Sequence, residues 1–157
     1  MEADPPLPTQ KGQIIMKKVL VVCLGNTCRS PMFAALLKQR LVSEGQTDVI
    51  VESAGVLREA VGQPAAADWA TLIVETRVDL SEHKSRHIED VNPSSFDTIV
   101  CVDPKAFAIV TAMEHHATRV VLASPETQGV YNPWQKGIDA YRECFAHCVR
   151  GAAALAL

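Results

Sequence analysis

Aromatic residues are scarce in this chain, with four Phe, two Trp and two Tyr among 157 residues. Clusters of basic residues are missing too. Lys17-Lys18 is the sole adjacent basic pair and the formal net charge is -3, which speaks against a nucleic-acid partner. No apolar run approaches the roughly 20 residues that span a bilayer, so no membrane association is expected. The alanine-rich end "RGAAALAL" is too short for that role and reads as the tail of a helix. The start, "MEADPPLPTQKGQ", lacks the basic residues and apolar core of a secretory signal. It is acidic and proline-rich. Residues 1–15 therefore read as a disordered extension, and residues 16–157 as the folded domain.

The cysteines are Cys23, Cys28, Cys101, Cys144 and Cys148. An odd set without a signal peptide points to reduced thiols and a cytoplasmic location. Cys23 and Cys28 lack C-x2-C spacing and no second pair completes a set of ligands, so no metal is expected.

What is present is a regular alternation of two periodicities. "KKVLVVC" (residues 17–23) is a continuous apolar, β-branched run, as in a strand buried on both faces. After a short loop, Pro31 suits a first helical turn and Ser30 suits its cap. Phe33, Leu36, Leu37 and Leu41 follow at helical spacing, ended by Gly45-Gln46. Strands are also expected at residues 48–55, 96–103 and 118–124. Helices are expected over "QPAAADWATLIVETR", over "PKAFAIVTAMEHH" and over the last segment. There Ile138, Tyr141, Phe145, Cys148, Val149 and Ala152 form one stripe. "HKSRHIEDVNPSS" and "PETQGVYNPWQKG" read as loops. The alternation predicts a single doubly wound α/β domain with a parallel sheet. Ligands of such sheets bind beyond the carboxyl ends of the strands, where Cys23 and Asp103 fall.

The loop "CLGNTCRSP" joins the first strand to the first helix. Gly25 permits a positive φ, and Asn26 tolerates one better than most residues. A loop so curled turns its backbone N–H groups inward, and the helix adds its positive end. Together they form a site for phosphate or a similar oxyanion. Arg29 can grip two oxygens of that anion. The same field makes Cys23 a better nucleophile, and Ser30 can donate a hydrogen bond to its thiolate. Alone, a cysteine ending an apolar strand is ordinarily a small buried hydrophobe. The combination of strand, Cys-x5-Arg-Ser-Pro, loop glycine and helix shifts the reading to phosphoryl chemistry.

On these residues the sequence resembles the low-molecular-weight protein tyrosine phosphatases. The resemblance includes "VCLGNTCRSP", "SAG" at residues 53–55, "CVD" at residues 101–103 and a late Pro-Trp pair, and runs from about Lys17 to the last helix. It implies a single three-layer α/β domain, with a four-stranded parallel sheet flanked by helices. It also implies a mechanism without metal or cofactor, acting on a phosphorylated protein. Cys23 would form a phosphocysteine, Arg29 would bind the phosphate and Ser30 would stabilise the thiolate. Leu24, Gly25, Asn26, Thr27 and Cys28 would complete the phosphate loop. Asn26 would hold it open through Ser53 and His83. Cys28 matches the loop cysteine that can shield the nucleophile from oxidation as a disulfide. Trp134 would stand at the mouth, where a flat ring stacks on an aromatic substrate.

The late loop departs from the family pattern. The family has Asp-Pro-aromatic there, and this chain has "NPW", with Asn132 at the general-acid position. An amide cannot donate a proton as a carboxylic acid does, so a slowed enzyme is expected. Asp139 and Glu126 are the nearby carboxylates that could substitute. Thr27 also departs, since phosphoarginine-directed members resemble "GNTCRS". A protein arginine phosphatase is thus an alternative to a tyrosine phosphatase. Two further alternatives are an arsenate reductase, which would need a relay of cysteines, and a silent phospho-ligand binder.

Overall fold

The computed structural model describes residues 17–113, 119–123 and 128–157. The extension expected over residues 1–15 lies outside them, as does Glu126. Four strands form one parallel sheet: β1 (Lys17–Cys23), β2 (Val49–Gly55), β3 (Thr98–Cys101) and β4 (Arg119–Leu122), in the order β2-β1-β3-β4. Helices α1 (Arg29–Ser43), α2 (Ala67–Thr71), α3 (Ile73–Thr76), α4 (Pro104–Ala112) and α5 (Ile138–Ala154) flank it. This is the expected three-layer arrangement.

Side-chain alternation along β1 builds both cores. Val19, Val21 and Cys23 face one side, where they pack with Met32, Phe33 and Leu37 of α1 and Tyr141, Cys144 and Cys148 of α5. Leu20 and Val22 face the other side, with Ile99, Cys101, Ala106 and Val110. A strand buried on both faces must read as an unbroken apolar run, which is why "VLVVC" contains no polar residue.

Three expected elements differ in detail. The helix over "QPAAADWATLIVETR" is two short helices, α2 and α3, meeting at Leu72. Trp69 and Leu72 are buried, and Ile73 is half-buried. Ser30 does not cap α1. The helix begins two residues earlier, at Arg29, with Cys28 at the cap and no side-chain cap bond. On α5 the buried face is Tyr141, Cys144, Cys148, Gly151 and Ala152, whereas Val149 of the expected stripe is 42% exposed.

The strand order matters for function. The chain leaves β1 for one neighbour, β2, and later enters β3 on the other side. The carboxyl ends of β1 and β3 thus flank the point where the winding reverses, the usual position of a ligand crevice. Cys23 ends β1, and Asp103 follows the end of β3.

Gly55 closes the gap between β2 and the loop after β1. A Cβ on it would stand 2.5 Å from the Leu24 carbonyl oxygen and 3.1 Å from Asn26 Cβ. Backbone cannot yield as a flexible side chain can. Gly55→Ala is therefore expected to lower stability by roughly 1–3 kcal/mol, read by urea denaturation. A stability equal to that of the parent would show that the loop is not packed against β2 as described.

Candidate active site

The loop from Cys23 to Arg29 is organised around Asn26. Its side chain is fully buried and its φ is +60°, the left-handed conformation expected of it. Gly25 is not in that conformation. A Cβ there would lie 3.6 Å from Ala60 Cβ and 3.9 Å from Thr27 Oγ1, ordinary van der Waals contact, so space does not demand glycine at this position either. Asn26 Nδ2 donates to Ser30 Oγ (2.7 Å) and Ser53 Oγ (3.0 Å). Asn26 Oδ1 accepts from the Arg86 backbone N–H at 2.9 Å. His83 therefore does not reach the Asn26 side chain. Its Nε2 meets the Asn26 backbone carbonyl at 2.6 Å, which makes Nε2 the donor. Burial pushes the His83 pKa down, more strongly than the bond to Asn26 raises it, and the charge of Arg86 adds to the lowering. A neutral ring protonated on Nε2 fits both.

Two groups converge on the Cys23 sulfur. The Asn26 backbone N–H donates to it at 3.2 Å, and Ser30 Oγ lies 3.0 Å away. Ser30 can donate there because its own oxygen accepts from Asn26. Among the described residues, the N–H groups of Gly25, Thr27 and Cys28 meet no protein acceptor. Free amides in a curled loop ahead of a helix suit an anion.

Arg29 is buried, 4% exposed, and its guanidinium donates through Nη1 to Asp103 Oδ2 at 2.7 Å and to the Val130 carbonyl at 3.3 Å. Asp103 Oδ1 meanwhile accepts from the N–H groups of Lys105 (2.7 Å) and Ala106 (3.2 Å), capping α4. Burial opposes ionisation of Asp103. The Arg29 bond and charge, with the two backbone donors, outweigh it and hold the carboxyl below its ordinary range. Sequence reading placed Asp103 at a strand end without assigning it a partner. An Asp-Pro pair directly after an apolar strand is a helix-cap signal, but it does not say which arginine the second oxygen meets.

Cys28 faces away from solvent, and its sulfur meets Tyr141 Oη at 3.2 Å and Thr27 Oγ1 at 3.7 Å. Burial raises its pKa. Trp69 Nε1 donates to the Cys28 carbonyl at 2.8 Å and packs edge-on against Tyr141, with centroids 5.0 Å apart. Leu24 offers its carbonyl to the N–H groups of Val56 (2.8 Å) and Leu57 (3.1 Å).

These residues open into a pocket of about 760 Å³, lined by Cys23, Leu24, Gly25, Thr27, Cys28 and Arg29 at its base and by Asn132, Trp134 and Tyr141 on one wall. Trp134 is 58% exposed. Asn132 Oδ1 accepts from the Trp134 N–H at 3.2 Å, a local turn that fixes the amide beside the ring. Ser53 and His83 are not on the pocket wall; they reach it only through Asn26. Asp139 is also outside the pocket. Its side chain is 91% exposed and pairs with Arg142 at 2.6 Å.

Residues 18–156 match the family model of the low molecular weight phosphotyrosine protein phosphatases. The chain belongs to this family. It is 31% identical to a probable low molecular weight protein-tyrosine-phosphatase, EpsP, of Ralstonia nicotianae, over 87% of this chain and 92% of that protein. It is 30% identical to the low molecular weight protein-tyrosine-phosphatase Etp of Escherichia coli, over 90% of this chain and 93% of the relative. Among solved structures, Vibrio vulnificus Wzb in complex with benzylphosphonate superimposes with a TM-score of 0.76 at 25% identity. That match covers 88% of this chain and 96% of the other.

The Arg29–Asp103 pair generates a pH prediction. The folded pKa of Asp103 is depressed, so its contribution to stability is complete above the unfolded carboxyl value of about 4. It is lost as pH falls through the lower, folded value. Asp103→Asn, which leaves Arg29 buried without its anion, should cost about 3–5 kcal/mol at neutral pH. Urea denaturation at a series of pH values should show the gap between parent and variant closing in acid. A gap independent of pH would refute the assignment of the charge.

Proposed function

We propose that the chain hydrolyses phosphotyrosine in proteins through a phosphocysteine at Cys23, and that Asn132 slows it. The observation that carries this is the convergence on one sulfur. The Cys23 thiol lies at the base of the pocket, receives bonds from Asn26 and Ser30, and faces the free amides of the loop beside Arg29.

In the first step the Cys23 thiolate attacks phosphorus, the S–P bond forms and the P–O bond to the substrate breaks. Arg29 and the loop amides hold the three other phosphoryl oxygens as charge redistributes over them. Asp103 is a positioning residue that aims the guanidinium. In the second step water attacks phosphorus, the P–S bond breaks and the thiolate returns, stabilised by Ser30. Each step has a proton to move, one to the leaving oxygen and one from the attacking water. Asn132 lines the pocket and, at the position the resemblance gives to the acid, can do neither. A phenol is the leaving group that tolerates this best, because its pKa of about 10 lets it depart as phenolate. Trp134, exposed at the mouth, offers a face on which a phenyl ring stacks.

A second reading follows from Thr27, which lines the pocket and stands in the loop where phosphoarginine-directed members resemble "GNTCRS". It makes phosphoarginine the competing substrate. Arsenate reduction finds less support. Cys101, Cys144 and Cys148 are wholly buried, and burial pushes the thiols of Cys101 (to about 12) and Cys148 up.

Phosphate release from an aryl phosphate, a phosphotyrosine peptide and a phosphoarginine peptide tests these readings. Asn132→Asp is expected to raise kcat by roughly 10²–10⁴-fold, and Cys23→Ser to abolish release. The better peptide identifies the substrate class. A parent already as fast as Asn132→Asp would show that the acid lies elsewhere. Tight binding of phosphopeptide with no turnover by either form would make the chain a binder.

A further inference from the structure

We propose that the mouth of the Cys23 pocket selects phosphorylated segments carrying basic side chains beside the phosphorylated residue, and that Glu59 and Asp68 are the groups that recognise them. The proposal rests on the phosphatase reading above and names the substrates of that site.

The charged residues lining the pocket are Arg29, Glu59 and Asp68. Arg29 lies at the base and is already paired with Asp103 at 2.7 Å. Glu59 and Asp68 stand on the wall, and among the described residues neither side chain has an ion pair or hydrogen bond. Their basic neighbours are turned elsewhere. Arg58, adjacent to Glu59, binds Asp90 at 2.6 Å and Glu89 at 3.1 Å. Arg142, adjacent to the pocket residue Tyr141, binds Glu75 at 2.8 Å. Of the cations nearby in the chain or sheet, Lys136 lies over the Tyr131 ring and Lys84 is exposed beside Pro64, so Glu59 and Asp68 are, among the described residues, the charged side chains of the lining that no ion pair or hydrogen bond engages.

Both are held at fixed distances from the phosphate loop. Glu59 sits in a 3₁₀ turn (Arg58–Ala60) anchored at each end. The Leu57 N–H donates to the Leu24 carbonyl at 3.1 Å, and Ser85 Oγ donates to the Ala60 carbonyl. Asp68 lies in α2 between two further anchors. The Ala66 N–H donates to the Thr27 carbonyl at 2.9 Å, and Trp69 Nε1 donates to that of Cys28 at 2.8 Å. A peptide whose phosphorylated side chain reaches Cys23 must lay its neighbouring residues over this rim, because successive Cα atoms are about 3.8 Å apart. Lysine or arginine there meets opposite charge, and glutamate meets like charge.

The test compares three phosphotyrosine peptides of equal length flanked by lysine, serine or glutamate. Asn132→Asp is the fast background, and an aryl phosphate without flanks is the reference. At low salt, kcat/KM is expected to be roughly tenfold higher for the lysine than for the glutamate peptide, about threefold for each carboxylate. The ratio should collapse at about 1 M salt, where charges are screened within about 3 Å. Glu59→Gln with Asp68→Asn should bring the three peptides to one value relative to the aryl phosphate. Equal kcat/KM on the unsubstituted rim, or a preference that survives the double substitution, would overturn the proposal. Binding of the same peptides to Cys23→Ser, measured by calorimetry, reads the same preference without turnover. Absence of hydrolysis would therefore count against the phosphatase reading alone, and absence of charge preference in binding against this one.

Discussion

Asn26 uses its backbone N–H, its carbonyl and both side-chain heteroatoms to hold together segments far apart in sequence. It touches Cys23 in its own loop, Ser30 in α1, Ser53 in β2, and His83 and the Arg86 backbone in the connection before β3. A buried amide with partners on every side is a rigid node. It sets the left-handed turn of the loop, in which the N–H groups of Gly25, Thr27 and Cys28 meet no acceptor among the described residues.

A second node complements it from the opposite side of the crevice. Asp103 divides its two oxygens between the α4 N-terminus and the Arg29 guanidinium. A buried ion pair is costly to desolvate and contributes less to stability than its distance suggests. Its value here is orientation. Arg29 emerges from the first turn of α1, and Asp103 after β3, with the Val130 carbonyl, fixes where its long side chain ends. The ion pair and the Asn26 node lie at the carboxyl ends of β1, β2 and β3, so sheet register fixes the loop as firmly as its own bonds do.

The base and the rim of the pocket follow different logic. The base is over-determined, with buried groups satisfied by several partners each. The rim is open, with Trp134, Glu59 and Asn132 held by local turns. Chemistry common to a family needs the first kind of construction, since a phosphoryl group has one shape. Discrimination among substrates needs the second. A loop residue can change there without disturbing the core. Asn132 stands in such a turn, where its Oδ1 accepts from the Trp134 N–H at 3.2 Å.

Sequence alone determined the elements whose cause is local. The five consecutive apolar residues Val19–Cys23 made the buried length of β1, and Asn26 ahead of a helix marked the left-handed turn of the loop, because period and turn chemistry act within a few residues. Local signals failed where two causes competed. Ser30 has good cap chemistry, but its hydroxyl is drawn to Cys23 and Asn26 instead. The apolar period over residues 63–77 suggested one helix, yet the packing of Trp69 against Tyr141 accompanies a break at Leu72. Only the tertiary structure decided the partner of Arg29, the backbone contact of His83 and the gathering of Glu59 and Asp68 beside Cys23. Those pairings span β-α-β crossovers, and no periodicity within a segment records which distant side chain the fold will bring to it.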